Sequence, residues 1–269
     1  MSTTQQVVGP LVLEERSGAV LTLRLNRPAK LNALNPDLCR ALVHGLLAAG
    51  DDKSVRAVVL TGAGRGFCSG GDVNFMRDAR NRRASREFEA MLELGQEICL
   101  AIASMPKVVI AAVNGPAAAG GMSLALACDL RIASETAFFM QAFGRFGLYP
   151  DFGATFFLPR LVGLSRASEL FYTAERISAE EARRIGIVAS VFSEATFEAE
   201  TRKLAEEVAA GPPLAFRDVK RTMIGDAHQA LVDAIEEENR LQLHCFVSDD
   251  CAEGLSAYFE KRAPNFRGH

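Results

Sequence analysis

Val108-Val109-Ile110-Ala111-Ala112-Val113 runs straight into Asn114-Gly115-Pro116-Ala117-Ala118-Ala119-Gly120-Gly121. The same grammar occurs earlier, where Val55–Leu60 precedes Gly64-Arg65-Gly66-Phe67-Cys68-Ser69-Gly70-Gly71-Asp72. Each β-branched run reads as a short strand, and each glycine-rich turn leads into a helix-like segment. Turns stripped of side-chain bulk can bring backbone N–H groups close to one small ligand atom. One such donor orients a carbonyl, whereas two converging donors stabilise an oxyanion. The pair of turns therefore points to an enzyme of carbonyl or thioester chemistry.

Outward from these turns the chain alternates up to about Ser193. Val20–Leu25, Val55–Thr61, Leu130–Ala133 and Ala137–Met140 read as strands beside Val108–Val113. Pro36–Ala49, Ser85–Ala103 and Gly121–Ala127 read as helices, the first with Asn35 as N-cap and Pro at its first position. This rhythm predicts an α/β core with parallel sheet character. Beyond Phe192 the strands stop. Thr196–Ala209, Leu214–Ile224, Gln229–Val247 and Cys251–Arg262 read as helices, with Gly211-Pro212-Pro213 breaking the first two apart. Two regions follow, a core over 1–193 and a helical region over 194–269 that packs on the sheet or on a neighbouring subunit. Arg77–Arg86 reads either as a mobile loop that could cover the site or as a solvated helix end.

Composition bounds the function. With 269 residues, 49% apolar and 23% charged, the chain can bury a sizeable core, and a net charge of -3 argues against nucleic acid or an anionic membrane as partner. The first ten residues lack the apolar run of a signal peptide, and no stretch approaches the ~18 apolar residues of a membrane span. Six scattered cysteines (Cys39, Cys68, Cys99, Cys128, Cys245, Cys251), with no C-x-x-C pair and no His at ligand spacing, suit a reducing cytoplasm and offer no metal site. None of His44, His228, His244 and His269 has a Ser or Cys motif beside it.

An ordered set of motifs carries a resemblance. Asn26-Arg27-Pro28, Leu31-Asn32-Ala33-Leu34, both glycine turns, Cys128-Asp129-Leu130, Leu158-Pro159-Arg160, Ile177-Ser178-Ala179 and Glu253-Gly254 through Lys261-Arg262 resemble the enoyl-CoA hydratase/isomerase (crotonase) family in order and spacing. The resemblance covers nearly the whole chain. It implies a spiral of ββα units with a C-terminal helical trimerisation region, and trimers that often pair into hexamers. It places the oxyanion donors on the backbone N–H of Gly71 and Gly120. Coenzyme A, entering as part of an acyl-CoA thioester and not as a separate cofactor, would lie along Ala29, Lys30 and Leu31 and the backbone of Ser69, Gly70 and Gly71. Lys261 would reach the nucleotide phosphates, of a neighbouring subunit. Asp72 and Asp129 fall on family positions whose residue type suits a cap or a turn.

The chain departs from the family where hydration needs acid and base. Hydratases of the family place two glutamates over the alkene, and those positions here are Ser123 and Phe143. Serine is too weak a base to activate water unaided, and phenylalanine has no proton to move. Ser123 and Phe143 are expected to line the acyl pocket. One acid remains, in Gly147-Leu148-Tyr149-Pro150-Asp151-Phe152-Gly153, a loop in which several isomerases of the family carry a proton-shuttling aspartate. Set among Phe143, Phe146 and Phe156, Asp151 should lose hydration and rise above its ordinary pKa. A competing reading makes Asp151 the N-cap of a helix over Gly153–Leu161.

A single base suffices for a 1,3-shift of a double bond, so the expectation is an acyl-CoA isomerase with Asp151, Gly71 and Gly120 at its centre. The segment Phe138–Gly163 and the ending Glu253–Ala257 resemble most the phenylacetate-degradation isomerases of the family, which rearrange epoxidised phenylacetyl-CoA and shift enoyl-CoA double bonds. Two alternatives remain: an enoyl-CoA hydratase using Asp151 with another acid, and an acyl-CoA-binding protein without chemistry.

Overall fold

The computed structural model describes residues 9–225 and 227–269. Strand β1 (Val12–Ser17) turns at Gly18, φ 56°, and pairs antiparallel with β2 (Val20–Leu25). Asn35 then opens α1 (Pro36–Asp51), its side chain accepting from the Leu38 amide as the sequence predicts. Next come β3 (Ala57–Gly62), α2 (Val73–Asn81), α3 (Ser85–Ser104), β4 (Val108–Val113), β5 (Ala117–Ala118) and α4 (Gly120–Ala127). Strands β6 (Leu130–Ser134) and β7 (Phe138–Met140) lead through a 3-10 turn to α5 (Ala154–Thr173), which is broken at Gly163. The order closes with β8 (Ile177–Ser178), α6 (Ala179–Arg184), β9 (Ser190–Phe192), α7 (Glu194–Ala210), α8 (Pro213–Ile224), α9 (Ala227–Val247) and α10 (Asp249–Glu260).

The main sheet has the order β1-β2-β3-β4-β6-β9, parallel throughout except for β1. Alternate side chains of its strands point to opposite faces, and both faces are covered. Val20, Val59, Ile110 and Ile132 pack against Phe197 and Ala205 of α7. Leu23, Val58, Leu60 and Val109 join the main core, which takes in Leu42 and Leu46 of α1 and Ile98 and Ile102 of α3. Burial on both faces explains why β3 and β4 read as near-continuous apolar runs without polar alternation.

Two open alternatives of the sequence reading are decided. The arginine-rich stretch is a helix end and not a loop: α2 holds Arg77–Asn81, and only residues 82–84 connect it to α3. The cause lies at the helix start, where Asp72 accepts from the Asn74 and Phe75 amides while Met76 and Ala79 bury themselves. The helix after Asp151 takes Gly153, φ 75°, as its N-cap, with no side-chain cap. The capping role read for Asp151 is therefore corrected; its carboxyl turns elsewhere.

A second, smaller sheet, β5-β7-β8, positions the site. It is the register of this layer that brings the two glycine turns together.

Candidate active site

The two turns are laced by main-chain hydrogen bonds. The Phe67 and Cys68 amides donate to the Pro116 carbonyl, and the Ala118 amide donates to the Cys68 carbonyl at 3.0 Å. On one side the loop before α1 joins the layer: Ser69 donates to Leu31, Leu34 to Gly70 at 2.7 Å, and Asp72 to Leu34 at 2.8 Å. On the other side β7 joins it, with Ala118 opposite Met140 and the Ala119 amide donating to the Met140 carbonyl. The close approach explains the glycines. A Cβ on Gly121 would stand 2.1 Å from the Cys68 carbonyl oxygen, and one on Gly70, whose φ is +87°, 2.7 Å from that of Ala118.

Lacing consumes the amides of Phe67, Cys68, Ser69, Asp72, Ala118 and Ala119. Among the described residues neither the Gly71 nor the Gly120 N–H donates to an acceptor. Gly120 is the first residue of α4, so its N–H lies at the positive end of the helix dipole. Ala119, just before it, holds φ 46° and ψ -126°, a conformation that side-chain-bearing residues seldom adopt. That strain sits at the residue which aims the Gly120 amide.

A cleft of about 600 Å³ opens over this layer. Ala29, Lys30, Leu31, Ser69, Gly71 and Phe143 line it, as the sequence reading expects. Gly70 and Gly120 are not among the lining residues, although Ala119 is; Gly70 serves the turn through its carbonyl, and Gly120 opens α4 next to Ala119. Ser123 is fully buried in α4 and does not line the cleft, because its Oγ is turned back to the Ala119 carbonyl at 3.2 Å. The expectation that Ser123 faces the acyl pocket is corrected accordingly. Lys261 is exposed at the end of α10, φ 54°, and lies outside the cleft of its own chain.

The inner wall is apolar, with Phe88, Met91, Phe146 and Leu148 beside Phe143. Asp151 is set into this wall. It is 6% exposed, and burial pushes its carboxyl up to about 7, a rise that the hydrogen bond from Gln242 offsets in part and the nearby Glu238 carboxyl reinforces. Gln242 Nε2 donates to Asp151 Oδ2 at 3.0 Å, whereas Oδ1 has no partner among the described residues. A Cβ on Gly120 would stand 3.3 Å from that free oxygen. The Asp151 carboxylate is thus beside the turn with the free amide.

The other cleft carboxylate is already engaged. Asp72 caps α2 and accepts from Arg27 Nη2 at 2.8 Å. Burial would raise its pKa, but the Arg27 guanidinium overrides this and holds the carboxyl below its ordinary value. Asp129 lies apart from the cleft, accepting from the Val109 amide and from Lys220 Nζ at 2.7 Å, so that it ties α8 to the end of β4.

Two residues of the site escaped the sequence reading. Glu238 and Gln242 are both about 1% exposed on α9. Glu238 accepts from the Gly153 amide, the Thr155 amide and Thr155 Oγ1 at 2.6–2.7 Å. Burial pushes its carboxyl up to about 7 against these hydrogen bonds. A signal was present: Leu231, Ile235, Glu238, Gln242 and Phe246 recur every three or four residues, so two polar side chains stand in the buried stripe of the helix.

Comparison with known proteins shows the family. The family model described as enoyl-CoA hydratase/isomerase matches residues 15–269. A probable enoyl-CoA hydratase of Rhodobacter capsulatus is 41% identical over 257 residues, covering 94% of this chain and 96% of that one. The 1,2-epoxyphenylacetyl-CoA isomerase of Escherichia coli is 35% identical over 257 residues, covering 96% and 98%. Among solved structures, an enoyl-CoA hydratase from Mycobacterium avium subsp. paratuberculosis superposes with a TM-score of 0.87 at 34% identity, covering 96% and 98%.

Proposed function

The chain belongs to the enoyl-CoA hydratase/isomerase family, and from that premise we propose that it is an acyl-CoA isomerase with Asp151 as its base. Hydratase is the commoner name among its relatives, so the family alone does not choose the reaction. What favours isomerisation is the carboxylate inventory of the cleft. Of the two carboxylates that line it among the described residues, Asp72 is held by Arg27 and a helix start, which leaves Asp151 as the one with an unpartnered oxygen. Adding water across an alkene needs a base for the water and an acid for the carbon; a 1,3-shift needs one group that takes a proton and returns it.

In this reading the thioester oxygen sits between the Gly71 and Gly120 amides. Asp151 removes a proton from the alpha carbon, the electron pair moves into a dienolate held by the two amides, and Asp151 delivers the same proton to the gamma carbon. The double bond moves and no atom is gained or lost. An epoxyphenylacetyl ring would use the same enolate site, and the apolar wall of Phe88, Phe143 and Phe146 suits either acyl group. Coenzyme A would leave the cleft past Ala29, Lys30 and Leu31, towards Lys261 of a neighbouring copy. Exposed Leu214, Val219 and Met223 on α8 fit burial in a trimer built by the helical region. Six free cysteines fit a cytoplasmic setting, and among the described residues no helix is long and apolar enough to cross a membrane.

Incubation with 3-hexenoyl-CoA and with epoxyphenylacetyl-CoA, reading product mass and ultraviolet absorbance together, tests the reading. An isomerase product keeps the substrate's mass and gains or loses conjugation. A product heavier by one water makes the chain a hydratase, and tight binding of both esters without turnover makes it a binding protein.

A further inference from the structure

Gln242 is held at both ends. Its Oε1 accepts from the Tyr149 amide at 2.9 Å, and its Nε2 donates to Asp151 Oδ2 at 3.0 Å. The Tyr149 amide can only donate, so the side-chain amide has one orientation that satisfies both contacts, with Nε2 against the carboxyl. One turn earlier on α9, Glu238 grips Gly153 and Thr155. Helix α9 thereby clasps the Asp151 loop on both sides of the aspartate.

We propose that Gln242 is a positioning residue that makes Oδ1 of Asp151 the oxygen carrying the transferred proton. The inference rests on the isomerase reading. Oδ2 faces an N–H donor, so a proton placed there would confront another hydrogen; the neutral carboxyl carries its proton on Oδ1, next to Gly120. The same contact favours the ionised carboxylate, because a hydrogen bond to a charged acceptor is stronger than one to a neutral acceptor. Gln242 therefore counters part of the desolvation that burial imposes on Asp151. It both selects the oxygen and keeps the base available near neutral pH.

The groups around Asp151 are few. Glu238 of α9 acts on it directly, and Cys39 of α1, Cys68 of the first glycine turn and Cys99 of α3 lie within electrostatic reach. Burial pushes all three thiols up, those of Cys39 and Cys99 well above the ordinary range and that of Cys68 to about 12. They stay neutral at pH 7, which leaves Glu238 as the other group of this set that titrates near Asp151.

The test compares full-length wild type, Gln242→Met, Gln242→Glu and Asp151→Asn. Gln242→Met removes the donor without adding charge; Gln242→Glu keeps an acceptor for the Tyr149 amide but no N–H for Asp151. With 3-hexenoyl-CoA, the acidic limb of kcat/KM should move up by about one pH unit in both Gln242 variants, with activity recovered at higher pH. In the ligand-free protein, the infrared C=O stretch of protonated Asp151, identified by its loss in Asp151→Asn, should rise in frequency in Gln242→Met. If Gln242→Met does not fold, the stretch and the limb are read in Gln242→Leu against a matching Asp151→Asn background. A limb that moves only in Gln242→Glu reports the added charge and refutes the proposal, as does an unchanged stretch. Full turnover by Asp151→Asn would instead refute the isomerase reading, while the infrared titration would still read the Gln242 contact.

Discussion

Oδ1 of Asp151 stands 3.3 Å from the point that a Cβ on Gly120 would occupy, and Leu34 Cδ1 crowds the same point at 3.4 Å. Gly120→Ala should therefore press on the base itself and lower kcat by about ten- to a hundredfold. At Gly71 a Cβ would meet nothing nearer than Met76 Cε at 3.5 Å, so Gly71→Ala keeps its amide and should retain turnover within a few-fold. Steady-state kinetics on the two variants checks the contrast; equal losses would remove Gly120 from the neighbourhood of the reacting atoms.

Asp151→Asn replaces the base by an isosteric group that cannot accept a proton. Turnover should fall by about 10²–10⁴-fold, with affinity for the CoA ester nearly unchanged. Isothermal titration with a saturated acyl-CoA and a turnover assay, run side by side, separate the two effects.

The raised carboxyls set the pH behaviour. As a base, Asp151 works only when ionised, so kcat/KM should decline as pH falls through about 7. The stability effect has the opposite sense. The folded chain keeps protons on Asp151 and Glu238 up to about 7, whereas the unfolded chain releases them near 3.8 and 4.5. Across that window the unfolded state binds fewer protons, so stability falls with rising pH, by up to about 1.4 kcal/mol per pH unit for each group. Denaturant titrations from pH 4 to 8 should show this slope, and the double variant Asp151→Asn/Glu238→Gln should flatten it.

Lys220 Nζ donates to the carbonyls of Ile102 and Lys107 and to Asp129, with only 7% of its side chain exposed. Lys220→Met leaves the half-buried Asp129 carboxylate without its cation and should cost about 3 kcal/mol of stability, the lower end of the range for a buried pair. Chemical denaturation measures it directly. Because α8 and Asp129 lie away from the cleft, kcat in the folded fraction should be unaffected.

Strands β2, β3, β4, β6 and β7, most helix bounds and the glycine turns were legible because each follows from local pattern: apolar runs, an Asn-Pro helix start, turns without side chains; the short β5, β8 and β9 were not legible. Strand β1 was not, since Val12–Ser17 has mostly exposed polar side chains and takes its form from pairing with β2. The same limit applied to Asp151. A Pro-Asp step before a helix reads equally as a cap or a base, and only the placement of Gln242 and the cap at Gly153 separate them.

Residue types and their spacing along the chain determined the family-like order of motifs, the α/β core and the loss of both glutamate positions to Ser123 and Phe143, because these are properties of the chain read in order. Tertiary structure alone decided which polar groups remain unpaired. The main-chain pairing of residues 67–68 with 116–118 and of 69–72 with 31–34 consumes neighbouring amides and spares those of Gly71 and Gly120. Residues 91 positions apart bring Gln242 to Asp151. Hydrogen-bond satisfaction is a sum over partners distant in sequence, so no local pattern along the chain encodes it.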